Sequence, residues 1–361
     1  MRTASKISSL ALIASLVLAG CSSPSVVETA ASSTPTATQS QTPEPEPVYV
    51  AAPLTGVEYL EGTNPNLELP AVMAKIDNTG NGRPQLALNQ ADVVYVTRVE
   101  AGMTRLLAVW QSRTPEDIGP VRSVRPVDAS IVDPYDGVFV YSGGQAPFKS
   151  AAKATGLVMS DEDTEAGNDT YYREPTRVAP WNLFFRAAKL QQLHPEQPAP
   201  KPSFEFSAVS SAVALGAPVA GLEVKYPELR STWTLGEGQF DWSDAPESAW
   251  LRDTNGTEHL QADGARVIAK NVVVMEVTHD LSFIDHKYGA IPKAEITNNS
   301  GVAHIFSEGY YLKATWSKGA IDEPILLKLE TGESVKLAPG NTWVEMMDLP
   351  KSKLTVLTPA E

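Results

Sequence analysis

The sequence predicts a β-rich fold with a few short helices and a mainly β second half, on three observations. Short runs of β-branched and aromatic residues recur along the chain, as at Val93–Val99 and Val138–Tyr141. Glycine-containing turn pairs separate such runs in the second half, at Asn255-Gly256, Asp263-Gly264, Lys318-Gly319, Thr331-Gly332 and Pro339-Gly340. Helical signals are few and brief, and no internal repeat is visible.

Taken in order, the chain opens with Arg2 and Lys6, an apolar run from Leu10 to Leu18, and Ala19-Gly20 before Cys21. A basic start, a short apolar core and small residues before a cut site make a secretory signal, over residues 1–20. The run is too short to span a bilayer. Leu18-Ala19-Gly20-Cys21 resembles the lipobox of bacterial lipoproteins, which implies cleavage before Cys21 and lipid (palmitate among the acyl groups) on it. The expected location is therefore the extracytoplasmic face of the cell membrane. Residues 21–52, above all Ser22–Pro47, are rich in Ser, Thr, Pro, Ala and Glu and poor in large apolar residues. Such a segment buries too little surface to offset its ordering entropy and is expected to be a disordered tether, spanning roughly 30 Å as a coil.

Order is expected from Pro53-Leu54-Thr55-Gly56. Ala71–Ile76 reads as a strand entering an Asp77-Asn78 turn. Val93–Val99 and Arg105–Trp110 read as strands joined by a hairpin turn at Glu100-Ala101-Gly102-Met103. Pro126 suits the start of a helix over Val127–Val132. Val138–Tyr141 is a strand ended by Gly143-Gly144, and Pro147–Ala154 a short helix stopped near Gly156. Asn182 is a good N-cap for a helix through Leu193, closed by His194-Pro195. The Pro-rich stretch Pro195–Pro202 divides a mixed region, 53–200, from a mainly β region, 201–361. There Val267–Val277 reads as a long buried strand. Val302–Phe306, Tyr310–Trp316, Ile325–Leu329, Val335–Leu337 and Trp343–Met347 follow as shorter ones.

Composition narrows the function. With 42% hydrophobic residues among 361, the chain can pack one large domain or two intimate ones. Cys21 is the single cysteine, so no internal disulfide and no structural thiolate zinc site can form. Removing residues 1–20 takes away Arg2 and Lys6 and no acid, so the formal charge moves from −14 to −16. Such a protein is a poor nucleic-acid ligand, and lipid rather than electrostatics must hold it to a membrane.

One window stands out chemically: Gly119-Pro120-Val121-Arg122-Ser123-Val124-Arg125-Pro126. Two arginine forks beside a helix start would suit a carboxylate or phosphate. The same forks could instead be absorbed by Asp77, Asp92, Glu100, Asp117 or Asp128 as structural ion pairs. Asp77 and Glu100 are also the best candidates for a carboxylate pair in a hydrolase, although each equally suits a turn or hairpin role. His279-Asp280 with Asp285-His286 is the best local metal candidate, with solvated loop residues as the simpler explanation, and no metal or cofactor is expected. Ser142 before Gly143-Gly144 lacks a nucleophile-elbow pattern. Five tryptophans (Trp233, Trp242, Trp250, Trp316, Trp343) fit core filling more simply than sugar stacking.

At these residues a resemblance emerges. Pro53–Gly56, Met73–Asn78, Arg83-Pro84-Gln85, Gln90–Tyr95, Glu100, Thr104-Arg105, Gln111-Ser112, Gly119–Pro126 and Tyr141–Gly144 follow in order. Arg177–Phe184, Asp241-Trp242, Trp250–Arg252, Asn271–Val277, Thr315–Lys318 and Pro339–Val344 continue it. Together they resemble the YerB-like lipoproteins, a family of unknown function known as DUF3048. The resemblance covers nearly all the chain after the tether and implies an α+β fold with layered β-sheets and helices packed on them. It implies no reaction. Trp181 stands where relatives are expected to carry His.

Three functions follow as expectations. The leading one is a membrane-anchored binding or scaffold module for an anionic envelope polymer or an envelope protein. Its site would be Arg122 and Arg125, with Arg105, Arg83, Asp77, Asn78, Glu100 and Ser142. The second is an envelope hydrolase using Asp77 or Glu100. The third is a purely structural partner of another envelope protein.

Overall fold

Two large sheets, several two- and three-stranded ones and a set of short helices make up the computed structural model, which describes residues 46–359. The expectations for the signal, for Cys21 and for most of the tether lie outside those residues. A 12-stranded sheet forms the middle layer. Its centre is built from strands at Val72–Asp77, Val93–Arg98, Thr104–Trp110, Asn271–Asp280 and Thr342–Leu349. The Thr342–Leu349 strand lies parallel to both Val93–Arg98 and Asn271–Asp280, so one continuous sheet takes strands from both halves of the sequence.

The alternation of strand side chains gives this sheet two buried faces. Met73, Tyr95, Leu107, Phe139, Met275 and Met346 pack against helices Asp128–Val132 and Ala146–Lys153. Ala74, Val96, Ala108, Val140, Val274 and Trp343 pack against a second, six-stranded sheet. That sheet is made mainly of strands Gly221–Lys225, Arg230–Gly238, Glu247–Thr254 and Lys353–Leu357. The α+β, layered architecture expected from the sequence is the one observed.

Charged groups lie between the two sheets. Arg252 and Glu345 are both fully buried, with Arg252 Nη2 3.8 Å from Glu345 Oε1. Glu345 accepts hydrogen bonds from Tyr226 Oη (2.9 Å), Ser231 Oγ (2.6 Å) and Trp233 Nε1 (3.1 Å). The Arg252 guanidinium lies 5.0 Å from the Trp343 ring and 5.5 Å from Trp233. Arg252 Nη1 also donates to His259 Nδ1, and His259 Nε2–H then donates to Gln85 Oε1 at 2.8 Å. Burial and the neighbouring Arg252 hold His259 neutral, well below the usual imidazole range. Gln85 Nε2 in turn donates to the Asp77 carbonyl at 2.7 Å, carrying the network to the end of a central strand.

Several expectations change. Leu183–Arg186 is a strand paired with Tyr171–Arg173 and Asp117–Ile118, and the helix starts only at Ala187. Leu183, Phe184 and Phe185 are all buried there, and pairing outweighs the helix-start signal at Asn182. The long strand from Val267 is interrupted at Lys270, giving Ile268–Ala269 in the second sheet and Asn271–Asp280 in the first. Order begins before Pro53, because Tyr49–Ala51 pairs with Glu58–Leu60. Four tryptophans (Trp233, Trp250, Trp316, Trp343) are fully buried core, while Trp242 is half-buried.

Removing one member of a buried ion pair strands its partner. Arg252→Ala or Glu345→Ala is expected to cost about 3–5 kcal/mol in a denaturant melt. A loss of less than about 1 kcal/mol would show that the charges do not join the sheets.

Candidate functional site

Six strands of the large sheet run parallel: Val72–Asp77, Val93–Arg98, Val138–Val140, Val158–Ser160, Asn271–Asp280 and Thr342–Leu349. Their carboxyl ends therefore meet one edge, the position where open sheets with parallel strands form ligand crevices. Asp77, Arg98, Glu100, Ser142, His279 and Asp348 lie on or just beyond those ends.

Glu100 is set by the turn between Val93–Arg98 and Thr104–Trp110, where Ala101 (φ 54°) and Gly102 (φ 72°) adopt left-handed backbone. Gly102 also needs its missing side chain, since a Cβ there would meet Glu228 Cγ at 2.7 Å. The Glu100 carboxylate turns inward and accepts from Arg105 Nη2 (3.1 Å), from Arg125 Nε (2.6 Å) and from Arg125 Nη2. Burial alone would raise its pKa. The two guanidinium groups overcome that and hold it at about 2. Burial and Arg125 lower Arg105 to about 10, which leaves it charged at neutral pH. Two further donors of the clamp are taken up as well. Arg105 Nη1 donates to the Ser123 carbonyl and Arg125 Nη1 to the Val124 carbonyl.

The start of helix Asp128–Val132 is likewise closed to a ligand. Asp128 Oδ2 accepts the Arg125 N–H at 2.6 Å, and Asp128 Oδ1 pairs with fully buried Lys75 at 2.6 Å. Of the expected Arg122 and Arg125 pair, the Arg125 fork is thus taken by the protein's own Glu100, and the adjoining helix start by Asp128.

Asp77 has a different set of partners. Its Oδ1 accepts from Thr79 N (2.6 Å) and Thr79 Oγ1 (2.5 Å), and its Oδ2 lies 2.8 Å from Arg122 Nε, unaligned for a hydrogen bond. The following loop closes tightly, because a Cβ on Gly82 would come within 2.2 Å of Asp77 Oδ1. Asp77 and Glu100 are therefore each buried against arginine. With Glu100 ionised down to about pH 2, it has no proton to donate near neutrality and does not suit a general-acid role. Arg122 is 18% exposed, donates to the Pro180 carbonyl at 3.3 Å and lies 6.0 Å from the Trp181 ring. Ser142 braces this segment through its backbone, its N–H donating to the Arg122 carbonyl at 2.9 Å.

Arg83 is placed otherwise. It lines an open cleft of about 400 Å³ with Asn78, Met103, Thr104, Glu228 and Leu229, among others. Arg83 Nε reaches only the Thr79 carbonyl, at 3.4 Å, and among the described residues no carboxylate lies at ion-pair distance from it. Its loop is held by Arg177, which donates to the carbonyls of Gly82 and Pro84. Asn78 anchors the cleft wall, its Nδ2 donating to Thr104 Oγ1 at 2.9 Å. Of the eight expected site residues, Asn78 and Arg83 come together in this cleft. Glu228 and Leu229, which sequence reasoning missed, complete it from the second half, where no local pattern announces contact with a loop some 150 positions earlier.

The histidine-rich segment is dispersed. His279 Nδ1 lies 3.1 Å from Asp348 Oδ1, and Arg98 also pairs with Asp348. Burial would raise the Asp348 carboxyl, but His279 and Arg98 hold it below the ordinary range. Asp280 accepts from Ser282, and Asp285 from Gln145, Lys287 and Tyr288. Among the described residues no three His, Cys, Asp or Glu side chains converge as metal ligands.

Residues 54–199 match the N-terminal domain, and residues 229–344 the C-terminal domain, of a protein family of unknown function, DUF3048. The chain belongs to the DUF3048 family. It is 22% identical over 302 residues to YerB of Bacillus subtilis (strain 168), described as a candidate lipoprotein, covering 82% of this chain and 86% of that one. The crystal structure of Bacillus subtilis YerB superposes with a TM-score of 0.67 at 20% identity, over 85% of this chain and 99% of that one. That likeness establishes the DUF3048 fold for this chain and assigns no activity.

The Glu100 clamp has a pH signature. Its pKa falls from 4.5 to about 2 on folding, so its contribution is complete above about pH 4.5 and is lost as pH falls towards 2. Glu100→Gln is expected to lower stability at neutral pH and to flatten the acid limb of the stability curve in that window. An acid limb as steep as in the wild type would show that Glu100 is not held this way.

Proposed function

We propose that this chain is a lipid-anchored, extracytoplasmic binding module whose carboxyl-edge cleft recognises an anionic group on an envelope polymer or partner protein. The anchoring part rests on the secretory signal, on the lipobox-like Leu18-Ala19-Gly20-Cys21, and on a relative described as a candidate lipoprotein. Among the described residues no helix is long and apolar enough to cross a membrane.

One observation carries the binding part. Arg83 lines an open cleft with no carboxylate at ion-pair distance among the described residues, while Arg105 and Arg125 are closed around Glu100. Arg122, paired with Asp77 and partly exposed, is the second arginine on the same loop system. A planar guanidinium fixed by a braced loop suits a carboxylate or phosphate. The lining also carries Glu228, so a dense polyanion is repelled and a ligand with one localised anionic group is favoured. Leu229 and Met103 supply apolar surface for the body of that ligand.

The test is titration of the full chain with N-acetyl-D-alanine as a carboxylate probe and glycerol 1-phosphate as a phosphate probe. Arg83→Ala is expected to weaken whichever probe binds by at least about tenfold, equivalent to ~1.4 kcal/mol, with the melting temperature nearly unchanged. Arg125→Ala is expected to lower the melting temperature instead. Binding by neither probe, or equal binding by wild type and Arg83→Ala, would overturn the reading.

A further inference from the structure

A second, larger cleft lies elsewhere. It has a volume of about 580 Å³, and its lining joins the turn Ala51–Glu58 to Phe204, Phe206 and residues of the second half. We infer that this cleft is a second binding site, which takes a peptide segment carrying a lysine or arginine beside apolar residues.

The walls are apolar. Phe204 and Phe206 face the turn at Pro53, Gly56 and Val57 across the cleft lining, and Pro339 adds to them. Gly56 has φ 66°, and a Cβ there would meet Phe206 Cβ and Cγ at 2.4 Å, so this wall is closely fitted. Trp242 also lines the cleft but offers no stacking platform. Phe240 stacks on it at 4.5 Å with a 13° interplanar angle, and the Arg113 guanidinium sits 4.8 Å from its ring centre. A sugar ring, which needs a bare aromatic face, is thereby disfavoured.

The charges select the ligand. The lining holds three carboxylates, Glu58, Glu247 and Glu308, against one ammonium, Lys270, a net of −2. Lys270 Nζ hydrogen-bonds Glu247 Oε2 at 2.8 Å and reaches Glu308 Oε1 only at 3.7 Å. Glu308 otherwise receives a single long hydrogen bond, from Ser210 Oγ at 3.4 Å, so most of its acceptor capacity is free. Burial would raise the Glu247 carboxyl, but Lys270 holds it below the ordinary range, so it is ionised at neutral pH. Glu308 and Glu247 side chains remain 27% and 32% exposed and within reach of an incoming cation.

The chain's own Thr42-Pro43-Glu44-Pro45-Glu46-Pro47 is proline-rich but acidic, the wrong sign for this cleft. A basic partner segment matches both the apolar walls and the surplus negative charge. This site shares no lining residue with the Arg83 cleft, so the two readings stand or fall separately.

The experiment is fluorescence anisotropy of the full chain with fluorescein-labelled Ala-Pro-Lys-Pro-Ala, and with the same peptide carrying norleucine or glutamate in place of lysine. The lysine peptide is expected to bind at least about tenfold more tightly than the norleucine one, to weaken with salt, and to fall to the norleucine level in Glu58→Gln/Glu308→Gln. Equal affinity for the lysine and norleucine peptides, no binding of the lysine peptide, or no change in the double variant would overturn the proposal. Effective competition by an unlabelled Thr42–Pro47 peptide would overturn it too, by assigning the cleft to the chain's own acidic segment.

Discussion

Glu100 is one carboxylate gripped by two arginines, and the carboxyl edge of the large sheet is arranged around that grip. A buried guanidinium needs a matched anion, and here Arg105 and Arg125 share the same one. The turn that delivers Glu100 depends on left-handed backbone at Ala101 and Gly102. Asp128 extends the match by accepting the Arg125 N–H on one oxygen and pairing Lys75 with the other. A chain of charges thus fixes the helix Asp128–Val132 onto the sheet. Once it is closed, recognition chemistry passes to the residue outside it, Arg83.

A second buried network fixes where Arg83 stands. Glu345 and Arg252 lie between the sheets with Trp233 and Trp343, and His259 passes the contact to Gln85, two residues beyond Arg83. Gln85 then returns to the Asp77 carbonyl, so both ends of the loop that carries Arg83 are tied to core groups. Neutral His259 suits this role, with one ring nitrogen accepting and the other donating. The interior polar groups therefore act as positioning devices for a surface loop, as well as being costs of burial that the fold must offset.

The sequence revealed the large sheet more fully than the small one. Val93–Arg98 and Thr342–Leu349 are near-continuous apolar runs, the pattern of strands buried on both faces, and they read directly as strands. Strands of the second sheet, such as Arg-Ser-Thr-Trp-Thr-Leu-Gly-Glu-Gly at Arg230–Gly238, bury one face only and are rich in polar and small residues, so their period-2 signal is weak. The arginine window from Gly119 to Pro126 was legible as a charge cluster. Whether its forks faced outward depended on Glu100 and Asp77, and local spacing carries no information about how acids distribute among several arginines. The Arg83 cleft needed Glu228 and Leu229, brought in only by packing of the second sheet.

Recognition at this edge turns on which arginines are closed and which is open. Side-chain NMR of the arginine Nε–H groups reports this directly, through their exchange with water. Slow exchange is predicted for Arg125, whose Nε–H donates to Glu100 at 2.6 Å, and fast exchange for Arg83, whose Nε–H has only a 3.4 Å carbonyl contact. Fast exchange at Arg125 together with protection at Arg83 would contradict the account, because the clamp would then be open and the cleft arginine already engaged.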